Sequence, residues 1–234
     1  MQSENQEKKL LETEVVVVLD RSGSMGSIGK ATVDGFNEFM KEQKGAEGKA
    51  FVTLVQFDDQ YEIDYKSRPV EEVADLILNE TFVPRGLTAL YDALGKTIEE
   101  LNTERDVVFV IITDGAENAS KTYTRPAIFK MIESQTAEKG WKFLFLAANQ
   151  DAIGAGASIG ISASNSMNYS ATFNGATASF ASVSNNISGY RGSKEKLLSK
   201  IRTAGVSKDE FDADYKFAAS TLDFTDRQRE ESTK

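Results

Sequence analysis

Val15-Val16-Val17-Val18-Leu19-Asp20-Arg21-Ser22-Gly23-Ser24 decides how this chain is read. Five consecutive apolar residues, four of them β-branched, suit a strand buried on both faces of a parallel sheet. An Asp and two alternate Ser residues follow at once. A second run, Val107-Val108-Phe109-Val110-Ile111-Ile112, leads into Thr113-Asp114-Gly115, and Arg85-Gly86-Leu87-Thr88-Ala89-Leu90 carries Thr88 to the threshold of a helix. Open α/β sheets bind ligands outside the carboxyl ends of their strands. These three pieces are therefore expected to converge on a site for a hard divalent cation.

Working outward, strands alternate with helical patterns. Val33, Phe36, Phe39 and Met40 recur at helical spacing until Gly45 and Gly48. Phe51 to Phe57 reads as a strand, Asp58-Asp59-Gln60 as a turn, and Tyr61 to Tyr65 as a half-exposed edge strand, which makes a hairpin on a parallel sheet. Pro69 is expected to open a short helix around Val73, Leu76 and Ile77, followed by a loop through Pro84 and Gly86. Leu90, Leu94, Ile98 and Leu101 form the stripe of the next helix. Beyond Asp114 come a helix containing Ile128, Met131 and Ile132, a strand from Trp141 to Ala147, a Gly/Ala-rich stretch from Asp151 to Ile161, and a short strand from Ser166 to Tyr169.

Phe173, Ala176, Phe180, Val183, Ile187 and Tyr190 then make a narrow apolar seam that Gly189 and Gly192 are expected to end. The division expected is a polar N-terminal segment (1–13), the α/β domain (14–191) and a helical C-terminal extension (192–234). The aromatic residues of that extension, Phe211, Tyr215 and Phe217, are expected to pack on the domain, and its last nine residues to be disordered.

Composition removes much chemistry. The 234 residues include no His and no Cys, which excludes the usual zinc and copper ligands, thiol nucleophiles and imidazole bases. Oxygen chemistry is what is left. With 40% hydrophobic residues, a chain of this length can build a core without disulfides. The net charge of −9, with no basic stripe, argues against nucleic acid and anionic membrane surfaces as partners. Met1 to Glu14 lacks the apolar stretch of a signal peptide, and no window holds 18 apolar residues, so a cytoplasmic protein is expected.

In Asp20-x-Ser22-x-Ser24, alternate residues of an extended loop point the same way, so one carboxylate and two hydroxyls can face a common point. Mg²⁺ takes near-octahedral oxygen ligands at about 2.0–2.1 Å and keeps several waters. Ser22, Ser24 and Thr88 suit direct ligation, with Asp20 and Asp114 holding waters or lying one layer out. A cation held mainly by neutral hydroxyls keeps much of its charge, which favours a carboxylate from a partner as the completing ligand.

The three pieces resemble the metal-ion-dependent adhesion site of von Willebrand factor type A domains. Val18-Leu19-Asp20, Thr88-Ala89-Leu90-Tyr91-Asp92-Ala93-Leu94 and Asp114-Gly115-Ala116-Glu117-Asn118 are similar to compact bacterial and phage members. The resemblance covers Glu14 to Tyr190. It implies an α/β fold with a doubly wound, mostly parallel sheet, one antiparallel edge strand and helices on both faces. It also implies a metal set of Asp20, Ser22, Ser24, Thr88 and Asp114, with Asp114 acting through water. The cation implied is Mg²⁺, with Mn²⁺ or Ca²⁺ as alternatives, and the role is binding a protein partner that presents Asp or Glu. Asp58, Asp92, Glu117 and Asn118 lie nearby without being ligands.

Two other functions fit the same residues. In the first, the chain is a structural or assembly component, for instance of a phage particle or multiprotein complex, whose metal only ties loops together. In the second it is a Mg²⁺-dependent phosphohydrolase with Asp20 as nucleophile. Against the second, Ser22 stands where a general-acid carboxylate is needed, and there is no Lys-containing phosphate loop. The expectation is a binding protein and not an enzyme.

Overall fold

The computed structural model describes residues 11–148 and 151–234; most of the expected N-terminal segment (1–13) lies outside them. Six strands, β1 (Glu12–Asp20), β2 (Lys49–Phe57), β3 (Tyr61–Pro69), β4 (Asp106–Thr113), β5 (Lys142–Ala148) and β6 (Ser166–Tyr169), form one sheet in the order β3-β2-β1-β4-β5-β6. All neighbouring pairs are parallel except β2 with β3, so the single antiparallel edge strand stands where the hairpin was expected.

The sheet is covered on both faces because β1 alternates. Val15, Val17 and Leu19 face one core cluster, and Val16 and Val18 the other. The first cluster is closed by α1 (Gly29–Gly45) and α5 (Phe173–Ala204), the second by α2 (Leu90–Glu100), α3 (Arg125–Ser134) and α4 (Ala152–Ser158). The crossover after β1 therefore runs over one face and the crossover into β4 over the other. This makes the carboxyl ends of β1 and β4 a topological switch point. Register sharpens this: Leu19 pairs with Ile112, so Asp20 and Thr113 end their strands side by side.

Helices α1 and α5 approach closely at Gly35, where an added Cβ would lie 2.4 Å from Phe180 Cδ2 and 2.8 Å from Cγ. Replacing Gly by Ala inside a helix ordinarily gains up to about 1 kcal/mol. Here overpacking should reverse the sign. We expect Gly35→Ala to destabilise the protein by about 1–3 kcal/mol in urea unfolding, with partial recovery in Gly35→Ala/Phe180→Leu. A stabilised Gly35→Ala would show that the two helices separate freely.

Five expectations need correction. The segment after Pro69 makes only a single tight turn, Val70–Glu72, and then runs without regular structure through residues 73–77. The cause is Asn37 on α1, whose side chain donates to the Leu76 carbonyl (3.0 Å) and accepts from the Leu76 amide (2.8 Å), while Lys44 donates to the Val73 carbonyl (2.8 Å). These bonds replace those a helix would have made.

The seam helix does not stop at Gly189 or Gly192. It continues to Ala204 and crosses the expected boundary at 191/192. A Cβ added at Gly189 would lie 3.9 Å from Thr221 and one at Gly192 3.5 Å from Glu47, both ordinary contacts, so the helix accommodates these glycines without requiring them. Between them Arg191 donates to the carbonyls of Gln43 (2.7 Å), Ala46 (3.2 Å) and Gly48 (2.6 Å), which caps the end of α1. Phe173, the first residue of the seam, is exposed.

In the extension, Phe211 and Tyr215 stack on each other (centroids 5.9 Å apart) and pack with Leu197 and Leu198, whereas Phe217 is exposed. The last nine residues are also ordered differently from expectation. After α6 (Lys208–Ser220), α7 spans Asp226–Ser232 behind a Thr225/Gln228 capping box. This tail lies along the outer edge of β6. The Phe224 amide donates to the Ser164 carbonyl (2.8 Å), Arg229 to the carbonyls of Ala163 (2.8 Å), Ser164 (3.1 Å) and Ser166, and Ser232 Oγ to that of Asn168 (2.8 Å). Among the described residues, no helix is long and apolar enough to cross a membrane.

Candidate metal centre

The five predicted site residues meet at the switch point. Asp20, fully buried, ends β1 and accepts from the Ser22 amide (2.6 Å) and from Thr113 Oγ1 (2.6 Å). Its two oxygens thus fix the Ser loop and tie β1 to β4. Ser22 Oγ lies 3.2 Å from Ser24 Oγ, and Ser24 Oγ donates to Asp114 Oδ1 (2.6 Å). The second Asp114 oxygen, Oδ2, is buried and has no hydrogen-bond partner among the described residues.

Thr88 is brought in from the other side by main-chain bonds. Its amide donates to Asn118 Oδ1 (2.9 Å), and its carbonyl accepts from the amides of Asn118 (3.0 Å) and Ala119 (3.2 Å). Gly115 shows the convergence directly. A Cβ built there would sit 3.2 Å from Thr88 Oγ1, 3.5 Å from Ser24 Oγ and 4.0 Å from Ser22 Oγ. Three hydroxyls from two loops therefore surround one small space over a residue that has no side chain to fill it.

The loops are braced so that this geometry is preformed. Gly23 donates to the Gly86 carbonyl (3.2 Å), the Arg85 amide to the Arg21 carbonyl (2.8 Å), and the Ala89 amide to the Asp58 carbonyl (2.9 Å). The buried Asp58 carboxylate accepts from Arg21 Nε (3.3 Å) and Arg85 Nε (2.8 Å). Glu117 accepts from the amides of Tyr91 (3.0 Å), Ala119 (2.9 Å) and Ser120 (2.7 Å). Asp58, Glu117 and Asn118 are thus loop braces. Thr113 was quoted in the motif without a role and Gly115 without its significance; the hydroxyl joins the two central strands, and the missing Cβ leaves the cradle open.

Burial pushes the Asp20 carboxyl up to about 6, against the hydrogen bonds from Thr113 and Ser22, with a smaller push from the Asp114 charge. Burial also raises Asp114, against its bond from Ser24. Beneath them the Tyr169 hydroxyl, which donates to the Thr113 carbonyl (3.1 Å), is raised well above its ordinary value by burial and by both aspartates. The site gathers negative charge on largely buried carboxylates, one oxygen of which has no partner among the described residues. Oxygen donors of this kind suit a hard divalent cation, and the residues fit one.

A doubly wound sheet with a hydroxyl and carboxylate cradle at its central carboxyl edge defines a Rossmann-like α/β fold. Residues 15–117 match the model of the von Willebrand factor type A domain family. Solved structures with the same fold include proximal thread matrix protein 1 from the mussel byssus with a zinc-occupied MIDAS motif (14% identity, TM-score 0.54, covering 74% of this chain and 45% of that one). Others are the ArnB paralog VWA2 from Sulfolobus acidocaldarius (17%, 0.51, 74% and 44%) and a von Willebrand factor type A protein from Catenulispora acidiphila (15%, 0.50, 76% and 43%). The aligned part spans less than half the length of each of these proteins. No curated protein matches the chain.

Proposed function

We propose that the chain is a protein-interaction module, not an enzyme. Its cradle holds a divalent cation, Mg²⁺ first and Mn²⁺ or Ca²⁺ as alternatives, and the cation takes a carboxylate from a partner protein. The observation that carries this reading is the closure of Ser22, Ser24 and Thr88 hydroxyls around the space over Gly115, beside the unpartnered Asp114 Oδ2. The three hydroxyls would hold the cation directly, and Asp20 and Asp114 would hold its waters. When bound, the cation supplies a positive centre that attracts a carboxylate.

The chain's own residues preform that centre. Asp20 and Thr113 fix the strand ends, and the braces on Thr88 hold its hydroxyl in place before any ligand arrives. Leu87, one residue from Thr88, is exposed on this otherwise tethered loop and gives the rim an apolar contact for a protein surface. Zinc in the MIDAS motif of the mussel protein supports the reading.

Manganese titration by calorimetry tests it first. Wild type should bind one Mn²⁺ per chain, and Ser22→Ala/Ser24→Ala should lose that heat while keeping its circular dichroism, because the deleted hydroxyls are small and lie at the loop. Capture from source-cell lysate in Mg²⁺, in EDTA and with the double variant then separates the roles. A protein held only by wild type with Mg²⁺ supports adhesion. Metal binding without any metal-dependent capture would make the cation a structural tie.

A further inference from the structure

Beside the metal cradle lies a second cleft, of about 460 Å³, walled by the β2–β3 turn, one face of α2 along its length and the 119–123 loop. Its floor begins at Ala89, the residue after Thr88, and Asp59 on its rim packs against Gly86, whose carbonyl holds the Ser loop. The space is far larger than one ion needs and large enough for one long side chain.

Its charge is one-sided. Asp59, Asp92, Glu99 and Glu100 face Lys96 and Lys121, four carboxylates against two ammonium groups. Burial opposes ionisation of Asp92, but the amides of Lys121 (2.8 Å), Thr122 (2.9 Å) and Tyr123 (2.8 Å) outweigh it and keep the carboxyl below its ordinary range. Asp59 is exposed, and among the described residues its carboxylate makes no hydrogen bond or ion pair. Two aromatic side chains line the walls, Tyr61 and Tyr123. Lys96 already shows what the Tyr61 face accepts: its Nζ lies 4.2 Å from that ring's centroid and 3.9 Å from Glu100, while the Tyr123 hydroxyl donates to Glu99 (2.6 Å).

We infer that this cleft receives a Lys or Arg side chain of the partner segment. The segment recognised then pairs a carboxylate for the cation with a basic residue for the cleft. That the donor is a protein partner rests on the function proposed above; cation binding by the cleft does not.

The test is a titration of ¹⁵N-labelled protein in EDTA with N-acetyl-arginine amide, and separately with its neutral isostere N-acetyl-citrulline amide, followed by amide shifts. The arginine probe should give saturable shifts at Gln60, Tyr61, Lys96 and Lys121, with a dissociation constant in the range of about 1–10 mM. Asp59→Asn should weaken it by about two- to five-fold, and Lys96→Ala, which frees the Tyr61 face, should strengthen it by a similar factor. Equal shifts with citrulline, or no saturable shift at these amides, would overturn the inference. Because the titration contains no metal, that failure is distinct from a failure of Mn²⁺ to bind the cradle.

Discussion

Asp114→Asn should leave the protein in EDTA at least as stable as wild type and erase the stabilisation that Mg²⁺ confers. One Asp114 oxygen accepts from Ser24 and the other is buried without a partner, so in the metal-free state the ionised group is poorly compensated. An amide keeps the bond from Ser24 and removes the charge. With Mg²⁺ at about 100 times its dissociation constant, wild type gains about 2.7 kcal/mol, which for a chain of this size raises the melting temperature by roughly 5–10 °C. Melting curves of both proteins with EDTA and with saturating Mg²⁺ give the four numbers required. If Mg²⁺ stabilises the variant as much as wild type, Asp114 has no part in holding the cation. If the variant loses several degrees in EDTA, the carboxylate is a structural strut.

An equally large effect is expected far from the cradle, at the amino end of β4. The Asp106 carboxylate is buried and accepts from Lys142 Nζ (2.6 Å), Lys194 Nζ (3.0 Å), Tyr215 (3.0 Å) and Tyr190. Asp106→Ala would leave two buried ammonium groups facing each other without an anion. Breaking a buried pair in this way costs about 3–5 kcal/mol, or roughly 6–20 °C here. Lys194→Met should cost less, because Lys142 still neutralises Asp106 and the new side chain fills the space of the old stem. Urea unfolding of the two variants checks the order; a loss below about 1 kcal/mol for Asp106→Ala would mean that the cluster contributes little.

The same cluster predicts an acid limb. Burial alone would raise the Asp106 carboxyl, but Lys142 and Lys194 overcome it and hold it at about 2. An unfolded Asp titrates near 4, so this group's contribution is complete above about pH 4 and disappears as the pH falls toward 2. Asp106→Ala should flatten the stability profile in that window and leave its shape near neutrality unchanged.

The parts of this protein that were legible in the sequence are those whose signal is local. Val15–Leu19 and Val107–Ile112 could be read as buried strands because every residue agrees, and the oxygen-bearing residues follow each run immediately. The irregular path of Val73 to Ile77 was not legible, since Asn37 holds it from another element. Nor was the Asp106 cluster. Its members lie on β4, β5, α5 and α6; Asp106, Lys142 and Lys194 taken singly look like ordinary surface residues, and nothing local joins them to Tyr190 and Tyr215. Glycine misled at 189 and 192 because a glycine inside a long packed helix and a helix stop leave the same mark in a sequence.

The hydrogen bonds that Phe224, Arg229 and Ser232 make along β6 bear on how the chain is made. The sheet acquires its last strand with Tyr169, yet the segment that seals that strand is synthesised more than fifty residues later. On the ribosome the nearly finished sheet therefore waits with a row of bare carbonyls, the interval in which a nascent chain is most open to strand exchange with its neighbours.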